Sequence, residues 1–205
     1  MQLYVDANYL SPYAMTAFVA LREKGIPFEL LLISLNEAQQ FTPAYAGISA
    51  TKRVPCLVDG QLHLSESSAI CEYLEDLYPA TAIYPGNVQH KAKAREVQAW
   101  LRSDLVPIRE ERSTEVVFLK RAPPPLSTAA KMASNKLFSA VEQWLQTGEQ
   151  HLFGHWSIVD TDLALMLNRL LLAGDAVPER LAHYARFQWQ RPSVQEWVKM
   201  TRPIQ

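Results

Sequence analysis

The sequence predicts an α/β domain followed by an all-α helical bundle, two fold classes within one chain of 205 residues. Three observations predict it. All seven glycines fall at candidate element boundaries, and the gap between Gly86 and Gly148 leaves room for long helices in the second half. Before Gly86 the apolar segments are short and switch between strand-like and helical spacing. After it they are long and helical throughout. The stretch "YPATAIYPGN" at residues 78–87 marks the change, so the expected division is a first domain at 1–79, a linker at 80–88 and a helical domain at 89–205.

In the first domain "LYV" reads as a short strand. Ser11 and Pro12 then start a helix, serine as N-cap and proline at its first position, with Ala14, Met15, Phe18 and Leu21 at helical spacing and Gly25 as its stop. "FELLLI" is β-rich and apolar enough for a buried strand. A short helix follows, and then "PCLVD", Gly60 and "LHLSE" form a hairpin around an Asp-Gly turn. "SESSAICEYLEDLYP" is a helix with Ile70, Leu74 and Leu77 on one face and Pro79 just beyond its end. The expected order is β-α-β-(short helix)-β-β-α.

The second part opens with a long helical pattern, "HKAKAREVQAWLRSDLVPIREERSTEVVFLK", in which Pro107 should remove one hydrogen bond and produce a kink. "PPP" at 123–125 breaks it, and "STAAKMASNKLFSAVEQWLQTG" is the next helix. "SIVDTDLALMLNRLLLAG" is apolar nearly all the way round, the mark of a central buried helix. Two shorter helices finish the chain, one after Pro178 and one around Pro192.

Bulk properties exclude several functions. Apolar residues make up 48% of the chain, ample for a core, and the net charge is −1 with no run of like charges. Nucleic-acid binding through a basic face is therefore not expected. No apolar run reaches the ~18 residues of a membrane span, and "MQLYVDANYL" lacks the basic region and long apolar segment of a signal peptide. Cys56 and Cys71 form no CxxC pair, and the five histidines are scattered, so no metal site is expected. The expectation is a soluble cytoplasmic protein.

Several residues have both a structural and a chemical reading. Ser11 is a helix cap, and it is also a hydroxyl beside a helix N-terminus, where anions are favoured. In "LSESSAI", Ser65, Glu66 and Ser67 would serve as caps for an amphipathic helix, or as a carboxylate and a helix-start amide facing a ligand. Ser68 leaves that register open by one. "SIVDTDLAL" carries a capping box, Ser157 with Asp160 three residues on, and its role is structural. Arg102, Arg109 and Arg112 recur roughly on one helical face; they form either a stripe for an anionic substrate or a solvated row balanced by Glu110, Glu111 and Glu115.

The order of elements, with "VPCLVDGQLHLSESSAICEYLE" inside it, resembles the cytosolic glutathione transferase family over essentially the whole chain. Because Ser11 opens the first helix, it resembles a bacterial, serine-type branch. The resemblance implies a thioredoxin-like glutathione-binding domain at 1–79 and an all-helical domain at 89–205. It implies glutathione as cosubstrate, a small electrophilic or peroxide substrate, no metal, and a homodimer. Ser11 would be the hydroxyl that holds the glutathione thiolate, with Asn8, Tyr9 and Tyr13 as competing donors. "RVP" implies a cis peptide before Pro55 and a Val54 main chain that pairs with the cysteinyl unit. Arg53, or Lys52, would hold the glycine carboxylate, and Glu66 and Ser67 the γ-glutamyl end. Tyr9, Tyr13, Arg109 and Arg112 are the candidate substrate pocket, and Asp104 a residue reaching across a dimer. Besides conjugation, glutathione-dependent peroxide or disulfide reduction and a non-catalytic interaction module stay open.

Overall fold

The structure is a computed structural model that describes residues 1–146 and 148–200. Two compact units are present, residues 1–83 together with 192–200, and residues 84–191. In the first unit β1 (Gln2–Asp6), α1 (Pro12–Glu23), β2 (Glu29–Ile33), α2 (Pro43–Ala46), β3 (Cys56–Asp59), β4 (Leu62–Ser65) and α3 (Ser67–Leu77) follow the expected order. The strands form one sheet in the order β2-β1-β3-β4. β1 runs parallel to β2 and antiparallel to β3, and β3 pairs antiparallel with β4 across the Gly60–Gln61 turn, where Gly60 has φ +59°.

The caps fall as the sequence reading placed them. Ser11 Oγ accepts the Ala14 amide at 3.2 Å, Pro12 opens α1, and Gly25 follows its last turn at φ +66°. Ala14 through Leu21 are all buried, because α1 packs against β1 on one side and α3 and α10 (Pro192–Met200) on others. Two expectations are corrected. β2 is an edge strand, not a buried one: it has a neighbour on one side only, and Leu32 is 40% exposed. An apolar run does not reveal how many neighbours a strand will have. Leu77, placed on the inward face of α3 with Ile70 and Leu74, is exposed: it is the final residue of the helix, and the buried face ends with Leu74 and Glu75.

The second unit holds α4 (Val88–Ser103), α5 (Val106–Glu111), α6 (Thr114–Leu119), α7 (Thr128–Trp144), α8 (Ile158–Leu171) and α9 (Glu179–Trp189). The expected long kinked helix is instead broken into α4, α5 and α6. Leu105 takes a left-handed conformation (φ +59°) and Pro107 lies in the first turn of α5, where a proline leaves no amide missing. α7 ends at Trp144, short of the predicted stretch, and Thr147 lies outside the described residues, as do 201–205 at the end of the expected helical domain.

α8 is buried from Ile158 to Leu170 and packs against α4, α5, α6 and α9, the central helix its sequence predicts. At its start Asp160 accepts the Ser157 amide at 2.8 Å and hydroxyl at 3.0 Å. It also accepts the Leu152 amide at 2.9 Å and the Tyr184 hydroxyl at 2.8 Å. α10, grouped by the sequence reading with the helical part, packs in the first unit against α1. Among the described residues no helix is long and apolar enough to cross a membrane.

Candidate functional site

Sheet register brings three motifs to one end of the sheet. Tyr4 of β1 pairs with Cys56 of β3, and Cys56 pairs with Ser65 of β4, both antiparallel. The chain leaving β1 toward Ser11, the Val54–Pro55 segment entering β3 and the Glu66–Ser67 segment leaving β4 therefore share that end. The Val54–Pro55 peptide is cis. The Arg53 carbonyl just before it is held by the Tyr45 hydroxyl at 2.8 Å and the Ser49 hydroxyl at 3.2 Å. Ser49 also bonds Ser65 Oγ at 3.0 Å, which ties the two segments together.

An open cavity of about 560 Å³ lies here, lined by Ser11, Tyr13, Thr51, Lys52, Arg53 and Val54, and by Leu35, Gln40 and Phe41. Glu66 and Ser67 do not line it but leave β4 at the same end of the sheet, and the charges of this end are uncommitted. Among the described residues the exposed side chains of Lys52, Arg53 and Glu66 form no hydrogen bond or ion pair. Glu66 caps α3 by position alone, at φ +72°, and the Ser67 that follows is buried. At Ser11 the oxygen accepts the Ala14 amide, a bond that does not use the hydroxyl proton. Asp6, buried at the end of β1, accepts the amides of Leu10 at 2.6 Å and Ser11 at 3.0 Å. Burial pushes its carboxyl up, and those two amides pull it back.

Three predicted pocket residues are placed elsewhere. Tyr9 is 5% exposed, its ring set edge-on to Trp197 at 5.3 Å in the core. Arg109 donates from one nitrogen to the carbonyls of Leu101 at 2.9 Å, Arg102 at 2.9 Å and Asp104 at 2.6 Å, stitching the end of α4 to the break after it. Arg112 is buried against Asp175, bonding it twice at 2.6 and 2.9 Å. Both guanidinium groups bond within the helical unit, from one nitrogen of Arg109 and from all three of Arg112. The stripe fails for a physical reason: α4 breaks before α5, so residues spaced as if on one helix do not share a face. Asp104, the suggested trans-dimer acid, is paired with Lys136.

The sequence reading missed Leu35 and Thr51, which lie in turns, and Gln40 and Phe41, which lie in a single 3-10 turn (Gln39–Phe41) too short to show periodicity. Gln40 carries the clearest signal, since its side-chain oxygen is buried beside the cavity with no hydrogen-bond partner. Such an acceptor is costly unless a ligand or water meets it.

Comparison with known proteins matches this geometry to a family. A family model described as "Glutathione S-transferase, N-terminal domain" matches residues 10–77, and one described as "Glutathione S-transferase, C-terminal domain" matches residues 87–202. The chain belongs to the glutathione S-transferase family. Residues 1–83 form the thioredoxin-like α/β domain of that fold, and the match to the helical domain takes in α10 together with the second unit. Glutathione S-transferase T1 of Arabidopsis thaliana is 29% identical over 98% of this chain and 84% of its own length. The chain spans only 35% of two longer relatives from that plant, T2 and T3. Among solved structures, a glutathione transferase homologue from Burkholderia GL BGR1, with bound glutathione, is 42% identical over 98% of this chain and 96% of its own, with a TM-score of 0.79. Human glutathione S-transferase T1-1 in its apo form is 26% identical over 98% of this chain and 87% of its own, with a TM-score of 0.73.

Neither cysteine belongs to the cavity. Cys56 and Cys71 are fully buried and in no disulfide, and burial pushes the Cys56 thiol up, away from the reactive thiolate. Iodoacetamide at neutral pH is therefore expected to leave both unlabelled in the folded protein and to label both after denaturation. Labelling of the native chain at the rate of free cysteine would contradict this.

Proposed function

We propose that this chain is a serine-type glutathione transferase that binds glutathione in the 560 Å³ cavity and conjugates it to a small electrophile. The observation that carries the reading is the arrangement of uncommitted charge. Lys52 and Arg53 are cations suited to the glycine carboxylate. Glu66 is an anion suited to the γ-glutamyl amine, and Ser67 opens α3, whose first amides suit the γ-glutamyl carboxylate. Between them Val54 offers a main chain free to pair with the cysteinyl unit, beside the cis peptide. A tripeptide with charged ends and a thiol in the middle fits that order.

Chemistry then needs only a thiolate held beside an electrophile. The thiol releases its proton to solvent, and the Ser11 hydroxyl donates to the sulfur while the N-terminus of α1 favours the negative charge. The sulfur forms a bond to the electrophilic carbon as the leaving group departs with its electron pair. Tyr13 and Thr51 bring two further hydroxyls to the cavity wall, and Tyr13, two residues from Ser11, is the competing donor. The reading carries with it a cytoplasmic location and a homodimer, as expected of the family.

Glu66→Ala is expected to weaken glutathione binding about ten- to a hundredfold, the loss of one charged hydrogen bond, at unchanged melting temperature. Ser67→Ala should weaken it as well. Calorimetry showing wild-type affinity for both variants would remove the site assignment. Assays with glutathione and, in turn, an aryl halide, a hydroperoxide and a disulfide separate conjugation from peroxide or disulfide reduction. Binding without turnover of any of the three would leave the non-catalytic reading.

A further inference from the structure

The loop that carries Ser11 is fixed from outside the cavity. Between β1 and α1 the chain bends at Tyr9, a non-glycine residue at φ +57°, and the Tyr9 amide donates back to the Asp6 carbonyl at 3.0 Å. Two side chains complete the bend. The Asp6 carboxyl takes the amides of Leu10 and Ser11, and the Trp197 indole N–H donates to the Tyr9 carbonyl at 3.0 Å. Neither Asp6 nor Trp197 lines the cavity.

Trp197 lies 188 residues from Tyr9 in sequence, on α10, and is fully buried with its ring against Tyr9 and Phe18. α10 is itself fastened to α1 by the Arg22–Glu196 ion pair at 2.7 Å and by the Ser193 hydroxyl, which donates to Glu23 at 2.5 Å. A left-handed bend at a bulky residue is disfavoured and persists where its surroundings hold it. The surroundings here are Asp6 on one side and Trp197 on the other.

We propose that Asp6 and Trp197 are positioning residues of the thiol site, which hold the backbone of residues 9–11 so that the Ser11 hydroxyl meets the sulfur of bound glutathione. The last described helix is thereby part of the reaction, although it touches no substrate. The inference rests on the reading of Ser11 as the thiol's donor.

Trp197→Phe keeps an aromatic ring at the site, smaller than the indole, and removes the one donor; Asp6→Asn keeps size and one acceptor oxygen but turns an amide group toward a backbone N–H. For each, the ultraviolet thiolate absorbance of the glutathione complex is titrated against pH, with kcat and glutathione affinity measured alongside. The expected result is a higher thiol pKa and a fall in kcat of about tenfold, short of the ~100-fold that a full 1 Å displacement costs. Glutathione affinity should stay within about twofold, because the ends of the tripeptide are held elsewhere. In a Ser11→Ala background Trp197→Phe should shift the thiol no further, since residues acting through one contact are not additive.

Folded Trp197→Phe and Asp6→Asn proteins with a wild-type thiol titration, while Ser11→Ala moves it, would overturn the proposal and leave the transferase reading standing. A Trp197→Phe shift that persists in full beside Ser11→Ala would also overturn it. Should Ser11→Ala itself leave the thiol unmoved, the proposal falls with the Ser11 role, and Glu66→Ala still judges glutathione binding separately. If Trp197→Phe does not fold, Asp6→Asn decides alone.

Discussion

Ser11→Ala is expected to lower turnover with glutathione about ten- to a hundredfold near neutral pH while leaving glutathione affinity nearly unchanged. The magnitude follows from the size and softness of the anion. Removing one donor from an oxyanion site costs about 10²–10³ in kcat, and a diffuse sulfur charge holds its donor less tightly than oxygen does. The pH dependence has a definite sign. Losing a hydrogen bond to the thiolate disfavours the charged form, so the pKa of the bound thiol rises and the activity limb moves to higher pH. Well above both pKa values the thiol is ionised in either protein, and the two turnover curves should converge. Ser11 is also the N-cap of α1, and its loss costs about 0.5–2 kcal/mol of stability, so melting must be followed on the same sample. Thiolate absorbance of the complex against pH is the deciding measurement. Overlapping curves for wild type and variant would reduce Ser11 to a cap, and Tyr13, another hydroxyl at the cavity wall, would be tested next.

What the sequence made legible were the features written in neighbouring residues. The Ser11–Pro12 helix start, the Asp-Gly hairpin, the Ser157–Asp160 box and the all-round apolar pattern of α8 depend on positions one to four apart, where local chemistry settles the structure. The motifs "RVP" and "ESS" were legible as a pair, and the register of β3 with β4 is what brings them together. What stayed hidden depends on partners far along the chain. Nothing near Asp6 in sequence announces that its carboxyl organises the Ser11 loop, and nothing near Trp197 announces a bond to Tyr9. The arginine stripe was misread for the converse reason. Its spacing is helical, but Leu105 breaks the helix with a left-handed residue that carries no glycine signal. Arg109 then closes the broken end by taking three carbonyls, and Arg112 turns inward to Asp175.

The largest stability effect should come from a residue that reads in sequence as an ordinary cation at a helix end. Lys24 closes α1, yet its side chain is fully buried. Its ammonium donates to Glu75 at 2.8 Å and to the carbonyls of Tyr78 at 2.9 Å and Thr81 at 2.6 Å. Glu75, in the last turn of α3, also accepts the Ile83 amide at 2.9 Å, so one ion pair fixes the end of α1, the end of α3 and the chain from 78 to 83. All three ammonium protons are used, which is the condition under which a buried pair is tolerated. Lys24→Met fills a similar volume but leaves a buried carboxylate and two carbonyls without their donor, and should destabilise by about 3–5 kcal/mol. Glu75→Gln added to it removes the stranded charge while keeping an oxygen for the Ile83 amide. The double variant should therefore be more stable than Lys24→Met alone, a coupling that independent sites would not show. Urea unfolding of wild type, both single variants and the double variant measures the cycle. Because the pair is buried, the loss should change little between low and high salt, whereas an exposed pair would be screened. Equal midpoints for Lys24→Met and the double variant would mean that packing at position 24, rather than the charge on Glu75, sets the stability of this unit.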